Sequence, residues 1–136
     1  MASLTTIIYV IRHGESQNNV SDNIGGDPKL TEKGQLQART VGEKLQNVYF
    51  DAFFSSDRLR TKQTAELVRL ERKLAITTSE AIRERHYGIL EGKLHYQLQG
   101  NLRELKRLVD ELVYQKCEYY KKELEIETTD EVIARF

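Results

Sequence analysis

One cysteine in 136 residues, Cys117, leaves no partner for an internal disulfide and too few thiolates for a multi-cysteine metal site. It falls in a helical pattern and reads as structural. Neither sign of charge is in excess: 21 Lys and Arg balance 21 Asp and Glu, for a net charge of +0. That balance gives no reason to expect a nucleic acid or a membrane as partner, so any anion has to be gathered by a local group of arginines. No apolar run approaches membrane-spanning length, and Met1-Ala2-Ser3-Leu4 does not read as a signal peptide, so the expected location is cytoplasmic. Repeats, low-complexity segments and linkers are missing too. Hydrophobic residues at 39% with 8% aromatic suit one ordinary domain spanning residues 1–136, near the lower size limit for a doubly wound sheet.

What is present is a strand-helix alternation. Five consecutive apolar residues within Thr6–Arg12 predict a first strand, buried on both faces. A polar loop follows, with Asn18, Asn19, Asp22, Asn23 and Gly25-Gly26. Thr31 is placed to cap a helix opening at Leu30-Thr31-Glu32, on which Gly34, Ala38, Val41, Leu45 and Val48 share one face. Phe50–Phe54 predicts the second strand. Ser55-Ser56-Asp57 ends it and starts a helix to about Arg72, and Ala75–Thr78 is a short third strand. The order β-α-β-α-β implies an α/β fold with a mainly parallel sheet and right-handed crossovers. Ile82–Gln99 reads as loop, Asn101–Lys122 as an amphipathic helix, and Thr128-Thr129-Asp130-Glu131 as the start of a last helix.

The most informative stretch is residues 7–16. In an open parallel sheet, ligands bind at the C-terminal ends of the strands. The first predicted strand delivers Arg12, His13 and Gly14 to such an end, a candidate nucleophile beside a permanent cation. Gly14 is expected to let the backbone turn sharply and leave room above the imidazole. The plainer reading is a strand end capped by polar residues.

Four ordered segments move the balance. They are Arg12-His13-Gly14-Glu15-Ser16 with Asn19; Leu30-Thr31-Glu32-Lys33-Gly34 with Gln37-Ala38; Ser55–Ala65 with Arg60; and Ile82–Gly92 with Glu84. Together they resemble the histidine phosphatase superfamily, which includes phosphoglycerate mutases and fructose-2,6-bisphosphatase-type enzymes. The resemblance implies a three-layer α/β/α, phosphoglycerate mutase-like fold and a phosphomonoester hydrolase that works through a phosphohistidine at His13. The substrate would be a small phosphorylated metabolite, a sugar phosphate among the candidates, and no metal or other cofactor is needed. Arg12 and Arg60 would each present a planar fork of donors to phosphate oxygens. His13 would attack phosphorus through one ring nitrogen while the other is held as a donor. Glu84 would protonate the leaving alkoxide and later deprotonate water. Asn19 and the Gly25-Gly26 backbone would supply neutral donors, and Tyr87 would line the substrate mouth.

Each residue also has a bland reading. His13 could be a satisfied core histidine, Arg60 a helix-capping salt bridge, Glu84 a member of a solvated charged run with Arg83 and Arg85. His86 and Tyr87 are each either at the mouth or structural, and His95 reads as surface.

The sequence departs from the family in one respect. Members carry a second histidine in a His-Gly turn after a later strand, and neither His86 nor His95 has that context. The resemblance runs through Glu127–Arg135 and implies that these residues are the N-terminal part of a longer phosphatase, lacking its C-terminal strand or strands, or a shortened relative completed by association. An open edge at Ile7–Ile11 then predicts a homo-oligomer or strand-exchanged dimer. Mutase-type phosphoryl transfer and a catalytically impaired phosphate-binding module are the alternatives.

Overall fold

The predicted alternation forms wherever backbone partners are at hand. The computed structural model describes residues 5–93 and 125–136. The helix expected over Asn101–Lys122, Cys117 and His95 lie outside the described residues. Two short strands, β1 (Phe53–Ser56) and β2 (Ile76–Ser79), pair in parallel from Phe53↔Ile76 to Ser56↔Ser79. Parallel neighbours cannot be joined by a hairpin, and the crossover is the helix α3, Leu59–Arg69. The chain is therefore α/β, as its pattern implies.

Three local expectations are corrected. β1 runs two residues past Phe54 because Ser55 and Ser56 are buried with their hydroxyls satisfied: Ser55 donates to Ser56 O, and Ser56 Oγ meets Thr61 Oγ1 at 2.7 Å. Asp57 does not start α3; its carboxylate is taken by Arg83. The exposed first N–H group of α3, on Leu59, donates instead to Asp27 Oδ1 at 2.6 Å. Part of the polar loop is also helical, as α1 (Gln17–Ser21), with Ser16 as its cap residue.

The largest correction concerns Thr6–Arg12. It forms no ladder among the described residues, and its side chains are not buried on both faces: Ile7, Ile8 and Val10 are 74%, 79% and 92% exposed. Apolar, β-branched composition favours an extended chain, but a strand also needs a neighbour's N–H and C=O groups. Tyr9 alone finds an aromatic contact, edge-on to Phe50 with centroids 5.3 Å apart.

Helix α2 (Glu32–Lys44) begins where expected, with Thr31 accepting from Gly34 N–H. It buries Gly34, Ala38 and Gly42, the last of these close against the α3 backbone at Leu67 and Val68. The buried apolar residues include Ala38 and Val68 on the two helices, and Ile24, Leu30, Leu90 and Ile126 in the loops around them. Each large one contributes about 2 kcal/mol on leaving water. Among the described residues a 3₁₀ turn, Gly88–Leu90, and a last helix α4, Thr129–Ala134, complete the order. Among the described residues no helix is long and apolar enough to cross a membrane.

Candidate active site

Arg12, His13, Asn19, Gly25, Arg60, Glu84 and Tyr87, drawn from four separated segments, all line one cleft of about 530 Å³. The structure thus brings these seven candidates together, while Gly26 and His86 do not line the cleft.

His13 is fixed by its own turn. Its Nδ1 lies 2.7 Å from Gly14 O. A carbonyl oxygen can only accept, so Nδ1 carries the proton and the lone pair of the neutral ring is on Nε2. The turn is held from below by Gly14 N–H donating to the buried Thr64 Oγ1 at 3.1 Å. Gly14 does not adopt the left-handed conformation. It is needed because α2 comes so close: a Cβ there would sit 2.2 Å from Gly34 O.

Arg60 is only 6% exposed, in the first turn of α3. Its Nη1 donates to Gly26 O at 2.9 Å and its Nη2 to Glu84 Oε2 at 2.9 Å. The buried guanidinium is thereby paired with a carboxylate whose side chain is 60% exposed. Arg12 is different. Among the described residues it makes no hydrogen bond or ion pair, and it faces the cleft as a free cation.

Asn19 Oδ1 accepts from Ser16 N and Ser16 Oγ, both at 2.9 Å, which leaves its Nδ2 as the group able to donate. Of the two glycines expected to face substrate, Gly25 lines the cleft. Gly26 N–H does not serve there, because it donates to the Glu91 carboxylate. Glu91 also accepts from Tyr87 N–H at 2.9 Å, so one side chain ties the glycine loop to the Tyr87 turn. His86 is structural: its Nδ1 accepts from Gly88 N–H at 2.9 Å and it does not line the cleft.

Sequence reasoning missed Glu91, Asp27 and Asp57, whose partners are distant in the chain. The Arg83 guanidinium grips both Asp57 oxygens and holds that carboxyl below its ordinary range. Arg83, although it lines the cleft, is therefore already neutralised. Among the described residues no three His, Cys, Asp or Glu side chains converge as metal ligands would. The arrangement offers an imidazole lone pair, two guanidinium forks and an exposed carboxyl around one space, which suits capture and transfer of a phosphoryl group.

Comparison with known proteins agrees. The histidine phosphatase superfamily (branch 1) model matches residues 8–136. The chain is 44% identical over 93 residues to the fructose-2,6-bisphosphatase TIGAR of Mus musculus, covering 63% of this chain and 35% of that protein. It is 41% identical over 86 residues to the probable phosphoglycerate mutase GpmB of Salmonella choleraesuis, covering 62% and 40%. The solved alpha-ribazole phosphatase of Shigella flexneri superposes with a TM-score of 0.76 at 27% identity, over 92% of this chain and 60% of that one. The chain spans less than two thirds of the length of each of these proteins.

Proposed function

The chain belongs to the histidine phosphatase superfamily, and from that premise we propose that it hydrolyses small phosphomonoesters through a phosphohistidine at His13. The observation that carries this reading is the hydrogen bond from His13 Nδ1 to Gly14 O, which frees Nε2 inside a cleft lined by Arg12 and Arg60.

In this reading the substrate's phosphate dianion binds first to Arg12, which has no competing partner among the described residues. It then takes the place of the Glu84 carboxylate on Arg60. Released from Arg60, Glu84 carries a proton taken from solvent and stands beside the ester oxygen. Nε2 attacks phosphorus, the P–N bond forms as the ester P–O bond breaks, and Glu84 gives its proton to the departing oxygen. Water then attacks phosphorus, the P–N bond breaks, and the water proton passes to the Glu84 carboxylate. The arginines and Asn19 Nδ2 hold the equatorial oxygens, which is where catalysis of phosphoryl transfer mainly lies.

The names of the mouse and Shigella relatives support a small phosphorylated metabolite, sugar phosphates included, as the substrate class. The similarity to the Salmonella protein supports a second reading, transfer to a substrate hydroxyl. The solvent exposure of Glu84 favours water as acceptor.

The test is phosphate release from p-nitrophenyl phosphate by the 136-residue chain and by His13→Ala, with radiolabelled substrate quenched into alkali, where phosphohistidine survives. The expected result is labelled wild-type protein, no label on His13→Ala, and release lower by at least about 10³-fold. Equal release from the two chains, or none from the wild type, overturns the reading.

A further inference from the structure

A carboxyl that delivers a proton has to be held to within a fraction of an ångström of the leaving oxygen. Glu84 sits on a segment, residues 81–86, that belongs to no helix or strand. On the sheet side that segment is held by Arg83 on Asp57. Its other side is gripped by residues 127–135, far away in sequence.

The grip is dense. Arg135 Nε donates to Glu127 Oε1 at 2.6 Å and Nη2 to Glu127 Oε2 at 3.1 Å, a two-point ion pair. The rest of the same fork reaches the acid-bearing segment: Nη1 donates to Ala81 O, and Nη2 lies 3.4 Å from Glu84 O. Glu127 takes hold further along. Its backbone N–H donates to His86 O at 3.0 Å, and its Oε2 accepts from His86 N–H at 3.1 Å. Arg85 adds a bond to Thr129 Oγ1 at 3.0 Å. Both ends of the segment and its centre are thus tied to one ion pair, which is mostly buried at 22% and 18% side-chain exposure.

We propose that the Glu127–Arg135 pair is the positioning element for the Glu84 acid. Neither residue lines the cleft. The pair sets the backbone from which Glu84 reaches Arg60 and the leaving oxygen. Guanidinium geometry matters here, because a lysine at 135 keeps the charge but cannot bond Glu127, Ala81 and Glu84 together. This inference rests on the phosphatase reading and adds residues to it.

A positioning role differs from a merely structural one in its dependence on the leaving group. p-Nitrophenolate departs without a proton, whereas the alkoxide of an alkyl ester such as β-glycerophosphate needs one. The experiment measures kcat/KM on both esters for the wild-type chain, Arg135→Lys and Glu127→Gln, with Glu84→Gln as the reference for a lost acid. A misplaced acid predicts a loss of about tenfold or more on the alkyl ester with the aryl ester kept within about twofold, part of the range that general acid catalysis supplies. Arg135→Lys is the milder change and serves if Glu127→Gln does not fold. Equal losses on the two esters, or no loss on either, overturn the positioning role and leave the phosphatase reading intact. A wild-type chain that cleaves neither ester overturns both.

Discussion

Arg60 is the side chain on which the cleft's free state turns. A guanidinium 6% exposed has to be neutralised, since an unpaired buried charge is far costlier than a paired one. In the free protein Glu84 supplies that charge at 2.9 Å. Under the proposed mechanism a phosphate supplies it, and Glu84 is released for proton transfer. One carboxyl therefore both stabilises the empty cleft and competes with the ligand. Glu84→Gln separates the two roles. Without its acid, turnover of an alkyl phosphate should fall by about 10²-fold. Inorganic phosphate, relieved of an anionic competitor on Arg60, should bind as tightly as to the wild type or more tightly. Calorimetric titration of both chains with phosphate reads the second effect directly, and weaker binding to Glu84→Gln would contradict the displacement of Glu84 by phosphate.

At the scale of elements, the His13 turn is held by the first turn of α2 more than by any strand. Thr31 N–H donates to Glu15 O at 2.9 Å, Thr31 Oγ1 to Glu15 Oε1 at 2.9 Å, and Gln17 N–H to Lys29 O at 3.0 Å. Two glycines let the backbones meet: a Cβ on Gly34 would lie 2.0 Å from Glu15 O. Neither backbone can yield without moving the His13 turn. In an exposed helix Gly→Ala stabilises by about 1 kcal/mol. Here the sign should reverse, with Gly34→Ala costing about 1–3 kcal/mol as overpacked sites do. Thr31→Ala, which removes the cap and the bond to Glu15 Oε1, should cost about 1–2 kcal/mol. Urea midpoints of the two variants against wild type check both values. A Gly34→Ala chain at least as stable as wild type would mean that the turn and the helix are not in the close contact described.

Across the whole molecule, what the sequence discloses and what it hides divide by range. Thr31 as a cap, α3 as a crossover, and His13, Arg12, Arg60 and Glu84 at one cleft were legible because each signal lies within a few residues of its motif. Thr6–Arg12 forms no ladder among the described residues, because a ladder depends on a neighbour that composition cannot reveal. Asp27 on Leu59 N–H, Asp57 on Arg83 and Glu127 on Arg135 were invisible because their partners lie 32, 26 and 8 residues away with no periodicity linking them. These hidden ties are largely carboxylate bonds, and so they set the molecule's response to acid. Arg83 holds the Asp57 carboxyl below its ordinary range, Arg135 does so for Glu127, and Lys33 with Thr31 for Glu15. A carboxyl that is more acidic folded than unfolded contributes stability that is fully present above its unfolded value, about 4. That contribution is lost as pH falls through the lower, folded value. The thermal midpoint should therefore hold between pH 7 and about 5 and drop steadily from there toward pH 3, where the unfolded chain binds more protons than the native one. Glu127→Gln should start lower at pH 7 and fall less steeply, because one of the three linked carboxyls is gone. A midpoint as steep in Glu127→Gln as in wild type would show that the Glu127–Arg135 pair contributes nothing to acid sensitivity.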